Sequence, residues 1–316
     1  MDLATTRFQR GLFFSWYCST GDCKFCYMST QKDKIKEPKG AVRSRESMLA
    51  EAIICKELGW GIEFLSGGHG TYGLNNLVEL CRELYEITGQ KQWLNIGVIG
   101  KPLLEKFRPY IEGVSGTIEC INPKVREFVC PSKPIEPIIK MFSICDELGI
   151  KKSITIIVGL GETEDDIPLL IDFIKEHRID RLTLYALNPV EGTIFKKGPS
   201  TGYYVKWIKA VRENFPDMEI IAGSHITRED EIHSILEAGA TYITKFPSIK
   251  MFNSPAARKV EQEASIAGRK FLGSLTQLPD IDWDSKVDML SLDDKAREKV
   301  RKKLHSYLEA MRKKKD

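Results

Sequence analysis

Short runs of β-branched and apolar residues alternate along the whole chain with longer stretches in which apolar positions recur every three to four residues. The first pattern suits buried strands and the second amphipathic helices, so the alternation predicts repeated βα units around a parallel sheet. Eight runs read as strands: residues 11–16, 61–66, 93–98, 114–120, 153–158, 181–187, 218–222 and 241–245. Helical spacing covers 44–58, 74–87, 135–148, 164–176, 203–214 and 228–237. Ser44 is placed to cap a helix start, and Gly149 and Gly239 follow helix ends, where a left-handed residue is wanted. Eight βα units predict an α/β fold, a (β/α)8 barrel of the TIM type.

After the eighth strand, residues 251–271 read as the eighth helix of the barrel. A linker around Pro279-Asp280-Ile281-Asp282 and a charged helix over 290–315, ending in Arg312-Lys313-Lys314-Lys315, follow it. The expected division is therefore a barrel over 1–275 and a C-terminal linker and helix over 276–316.

Composition narrows the class. The 316 residues are 42% hydrophobic and 29% charged, without low-complexity tracts, as in a globular enzyme with a sizeable core. Forty-seven basic against forty-four acidic residues give +3, far from the basic excess of nucleic-acid binders. No nucleic-acid partner is expected. The opening Met-Asp-Leu-Ala-Thr-Thr-Arg carries no basic region followed by an apolar run, and no stretch approaches the roughly 18 apolar residues of a membrane span. The expected setting is cytoplasmic, without a membrane partner, and there eight cysteines are better read as metal ligands or buried thiols than as disulfides.

Three of them, Cys18, Cys23 and Cys26, sit in one loop directly after the first strand, at C-x4-C-x2-C spacing. Thiolates are the usual protein ligands of iron–sulfur clusters, and a set of three leaves one iron of a 4Fe-4S cube open for catalysis. A zinc knuckle would use the same thiols but wants a fourth Cys or His nearby, and none lies in 27–43. A zinc-stabilised barrel acting as a binding protein is the alternative from a different class.

The cysteine loop resembles that of radical S-adenosylmethionine (SAM) enzymes, with Phe25 at the aromatic position before the third cysteine. The family pattern has three residues in the first gap where this chain has four, an insertion shared by variant branches. Further matches follow at successive strand ends. Ser66-Gly67-Gly68-His69 resembles the Gly-Gly-Glu motif that holds the methionine amino group, with His69 in place of the acid. Glu119 matches the ribose-binding acid of the biotin-synthase-like branch, and Ile157-Val158-Gly159-Leu160-Gly161-Glu162 matches its I-x-G-x-x-E signature. Leu187-Asn188-Pro189 opens a loop similar to the Asn-Pro-x-x-Gly-Thr segment of biotin synthase relatives.

The resemblance implies that Cys18, Cys23 and Cys26 are catalytic cluster ligands. It implies SAM contacts from Phe25, Ser66, Gly67, Gly68, His69, Glu119, Ile157, Gly159, Glu162, Leu187 and Asn188. It implies reductive cleavage of SAM to methionine and a 5'-deoxyadenosyl radical that abstracts hydrogen, shielded by the barrel. The nearest branch holds biotin synthase, the hydrogenase maturase, methylornithine synthase and archaeal two-protein lipoyl synthases. It points to cofactor biosynthesis, with sulfur insertion of the lipoyl synthase kind as the specific expectation and carbon-skeleton or hydrogenase-cofactor chemistry as the alternative. Sulfur insertion consumes a second Fe-S cluster, for which Cys120 and Cys130 are candidate ligands. Cys55, Cys81 and Cys145 lie on apolar helical stretches and read as buried thiols. The partners implied are a small-molecule or carrier-bound substrate, an electron donor such as ferredoxin or flavodoxin, and a partner radical SAM protein.

Overall fold

A computed structural model describes residues 4–313; the N-terminal residues 1–3 and the last basic pair, Lys314 and Lys315, lie outside the described residues. Ten strands are present: β1 Thr5–Arg7, β2 Gln9–Ser15, β3 Gly61–Gly67, β4 Gln92–Asn95, β5 Ile111–Glu119, β6 Lys151–Val158, β7 Arg181–Ala186, β8 Glu219–Gly223, β9 Tyr242–Thr244 and β10 Lys270–Leu272. Strands β2 to β9 form one parallel eight-stranded sheet in sequence order. A single bridge from Phe8 to Ile243 brings its two edges together, giving a nearly closed barrel with helices between the strands. All eight expected strands are present.

Register separates the two faces of these strands. Thr155, Thr183 and Ile221 are paired neighbours on β6, β7 and β8, and so are Ile157, Tyr185 and Gly223 one step further on. These point inward, because Tyr185 and Arg181 of β7 reach Glu63 of β3 across the barrel. The alternate residues Ile154, Ile156, Val158, Leu182, Leu184, Ile220 and Ala222 are at most 1% exposed and join the core formed with the helices. That side is a conventional aliphatic shell.

Helix ends follow their local chemistry. Ser44 accepts from the Ser47 N–H at 3.2 Å, and Gly149 closes the Glu136–Leu148 helix with φ 64°.

The expected helix over 251–271 is corrected. The helix is Pro255–Ile266, preceded by Ser254, which accepts from Ala257 N at 3.2 Å. Proline belongs in the first helical turn, and Gly268 at φ 66° ends the helical path. Phe271 lies instead in β10, paired parallel with β1. The terminal helix spans Asp294–Arg312; Val300, Leu304, Leu308 and Met311 lie on one face, buried against the Arg45–Glu57 helix. A short helix, Trp283–Asp288, precedes it.

Candidate functional site

The cysteine loop leaves β2 at the C-terminal end of the barrel, the end at which barrel enzymes carry their sites. It is fixed from two sides. Ser19 N donates to the His69 carbonyl after β3 at 2.9 Å, and Lys24 N donates to the Val129 carbonyl at 2.9 Å. Lys32 Nζ donates to the Thr20 carbonyl at 2.8 Å, closing the loop on itself. Cys26 ends the loop as the residue before the Tyr27–Gln31 helix.

All three thiols are free; Cys23 is buried, whereas Cys18 and Cys26 are half-buried. Cys23 is hydrogen-bonded to Cys130, and that bond together with burial pushes its thiol up; burial does the same to Cys26. Cys120 is also buried, which pushes its thiol up to about 12. An apolar cluster unites Cys23, Cys120, Cys130 and Leu187, with Phe25, Cys26 and Ile157 packed against it. Cys18 stands outside this cluster. Among the described residues no three Cys, His, Asp or Glu side chains stand in a ready metal-holding arrangement. The donor set nevertheless suits an Fe-S cluster: three free thiols on one loop, soft ligands with no carboxylate among them.

The glycines at the end of β3 make room for β2 and this loop. A Cβ on Gly68 would overlap the Tyr17 carbonyl, and one on Gly67 would overlap the Phe14 ring. Ser66 is buried at the strand end, and the His69 ring meets Ser19 Oγ at 3.2 Å, so His69 is turned to the cysteine loop.

On β5, Glu119 holds a left-handed backbone, φ 66°, and its carboxylate takes an ion pair from Lys133 Nζ at 2.7 Å. At the end of β6, Glu162 folds back and accepts from the N–H groups of Gly159 at 2.5 Å, Leu160 at 2.9 Å and Gly161 at 3.1 Å. Tyr203 donates to the Glu162 carbonyl at 2.9 Å. Gly159 has φ 109°, and a Cβ there would sit 2.9 Å from Pro199 and 3.2 Å from Leu187. Leu187 N donates to the Val158 carbonyl at 2.9 Å, which places the half-buried Asn188 just above the inward-facing Ile157.

Sequence reasoning missed a polar group inside the barrel. Glu63 is 2% exposed; both its oxygens are taken, one by Tyr185 Oη and one by Thr244 Oγ1. Burial pushes its carboxyl up against the opposing pull of Thr244, Tyr185, Arg181 and Lys245. Lys245, with φ 75°, lies over the Tyr185 ring at 4.7 Å, and the surrounding protein lowers its ammonium pKa. The signal was a charge inside the apolar run Gly61-Ile62-Glu63-Phe64-Leu65. Glu63, Tyr185, Thr244 and Lys245 line one cavity of about 560 Å³, whose wall includes Trp16, two residues before Cys18.

Comparison with known proteins agrees with this arrangement. The Radical SAM superfamily model matches residues 16–174. An uncharacterized protein of Methanocaldococcus jannaschii is 42% identical over 277 residues, 87% of this chain and 76% of that protein. The ribosomal protein uS12 methylthiotransferase RimO of Citrobacter koseri is 27% identical over 196 residues, 54% of this chain; the chain spans only 43% of that protein. Among solved structures, methylornithine synthase (PylB) superposes with a TM-score of 0.70 at 19% identity, over 84% of this chain and 83% of that one. Streptococcus suis SuiB bound to S-adenosylmethionine gives 0.53 at 18% identity, over 77% and 58%. Among the described residues no helix is long and apolar enough to cross a membrane. With its cysteine loop inside the matched span and its barrel shared with these enzymes, the chain belongs to the radical SAM superfamily.

Proposed function

We propose that Cys18, Cys23 and Cys26 ligate a single 4Fe-4S cluster and that the chain turns SAM against a small substrate held in the barrel cavity. When bound, the cluster and SAM supply one-electron cleavage of a sulfonium bond and a hydrogen-abstracting radical. The residues of the chain do the rest. Gly68 lets the strand end approach the cysteine loop, and Gly67 the Phe14 ring of β2, without side chains between them. Glu162 fixes the Gly159–Gly161 turn by three N–H contacts, keeping Ile157 and Leu187 in place as an apolar wall for an adenine, with the Asn188 segment beside them to meet its polar edge. The aromatic groups Phe13, Trp16 and Phe64 wall the cavity, excluding water from the substrate. The observation that carries the reading is the docking of the thiol loop on Gly68 and His69 beside that cavity.

The test is anaerobic reconstitution with iron and sulfide, then reduction with SAM. A brown protein with about four irons per chain and formation of 5'-deoxyadenosine is expected. A colourless protein holding zinc alone overturns the reading.

Sulfur insertion of the lipoyl synthase kind is a second reading, favoured by one observation: Cys120 and Cys130 lie in the same apolar cluster as Cys23. It requires a second cluster. About eight irons per chain would support it, and about four would favour hydrogen abstraction without sulfur transfer.

A further inference from the structure

The cavity below the cysteine loop is charged in an unbalanced way. Three cationic side chains, Arg10, Arg43 and Lys245, face two carboxylates, Glu51 and Glu63. Glu51 is used by both arginines, Arg10 Nε at 3.1 Å and Arg43 at 2.8 Å. Glu63 is used by Tyr185 and Thr244. Among the described residues, Lys245 Nζ has neither a hydrogen-bonded nor an ion-paired partner; it lies over the face of the Tyr185 ring and feels the charges of Glu63 and Glu119 only from a distance. Lys245 is exposed on the cavity wall, so an ammonium with no acceptor of its own is open to an incoming anion there.

One further observation points the same way. Lys245 stands at the end of β9 in a left-handed backbone that a lysine adopts only at a cost, and such strain gathers at functional sites. The cavity thus offers one cation without an acceptor and the aromatic wall of Phe13, Trp16 and Phe64.

We propose that the cavity binds a small organic anion, an apolar body carrying a carboxylate or phosphate group, and that Lys245 is the cation that anchors it. This names the substrate class for the activity proposed above and rests on the cavity being its substrate chamber. The size is suitable, since pockets for small ligands run from roughly 300 to 1,000 Å³.

Isothermal titration of the reconstituted, unreduced protein tests it with 3-phenylpropionate, glutarate and inorganic phosphate as probes and 3-phenylpropionamide as the neutral control. At least one anion should bind, with the amide weaker than its acid by about tenfold or more. Lys245→Gly should weaken anion binding by about tenfold or more while melting no lower than the wild type, because glycine accepts the left-handed backbone freely. Lys245→Arg, which keeps the charge, should retain binding. Displacement of the carboxylate by phosphate would identify phosphate esters as substrates, and failure of displacement would identify carboxylic acids; either upholds the site. No binding of any anion, equal binding of acid and amide, or undiminished binding by Lys245→Gly overturns it. Competitive loss of the acid on adding SAM also overturns it, by assigning Lys245 to the SAM carboxylate. Binding is read without reduction, so the two proposals fail separately. Protein that binds the acid but makes no 5'-deoxyadenosine sinks the activity, whereas protein that makes it and binds no anion sinks only the subsite.

Discussion

The two faces of β6, β7 and β8 are built from adjacent residues yet obey opposite rules. Outward, Ile154, Leu182, Leu184 and Ile220 are fully buried aliphatic side chains packed on helices. Inward, Thr155, Thr183, Tyr185 and Arg181 set polar groups among Ile157 and Ile221; two of these polar residues have hydroxyls without a partner among the described residues, and Arg181 is stacked at 3.8 Å over Trp93. A core selected for stability alone would fill that interior with branched apolar residues. The difference teaches that the shell holds the barrel while the inner face carries polar groups that packing alone would not select, with left-handed backbone at Glu119 and Lys245 at the ends of their strands.

Substitutions across the two faces sharpen this contrast. The largest effect on stability belongs to the shell: Leu182→Ala, at 0% exposure, should cost about 2–5 kcal/mol in denaturant unfolding. SAM cleavage per folded molecule should stay unchanged; a selective loss of turnover would break the division of labour. Glu162→Gln comes next. It removes the charge that collects three N–H groups, at a cost of about 1.5–3 kcal/mol, and should raise the KM for SAM more than it lowers kcat. A kcat effect alone would place Glu162 outside the binding loop. Smallest is Thr183→Val, which removes an unpartnered hydroxyl at nearly constant volume. Its unfolding free energy should change by less than about 1 kcal/mol, in the stabilising direction. A marked destabilisation would show the hydroxyl to be structurally engaged.

The shell was legible in the sequence because strand and helix leave opposite periodicities, and every one of the eight barrel strands writes a β-branched or apolar run. What escaped were contacts between distant segments. β1 and β10 are three residues each and are strands only because they meet. The short helices Lys101–Phe107 and Pro123–Val129 span about two turns, too few for a periodic signal.

The site divides similarly. The thiol spacing stands in one loop and could be read directly, as could the glycines after β3. The Lys133 partner of Glu119, the Cys130 partner of Cys23 and the Glu63 group are tertiary events. Lys245 left no trace at all, since nothing local announces a left-handed lysine.

The central claim is that the loop carrying Cys18, Cys23 and Cys26 is the catalytic centre, and one assay tests it most directly. Wild-type protein and Cys26→Ala are reconstituted in parallel and assayed anaerobically for 5'-deoxyadenosine after reduction with SAM. Cys26 is only half-buried, so the variant should fold. The account predicts loss of about 100-fold or more in 5'-deoxyadenosine, with iron content falling in step. Wild-type yield and wild-type iron in the variant would contradict it.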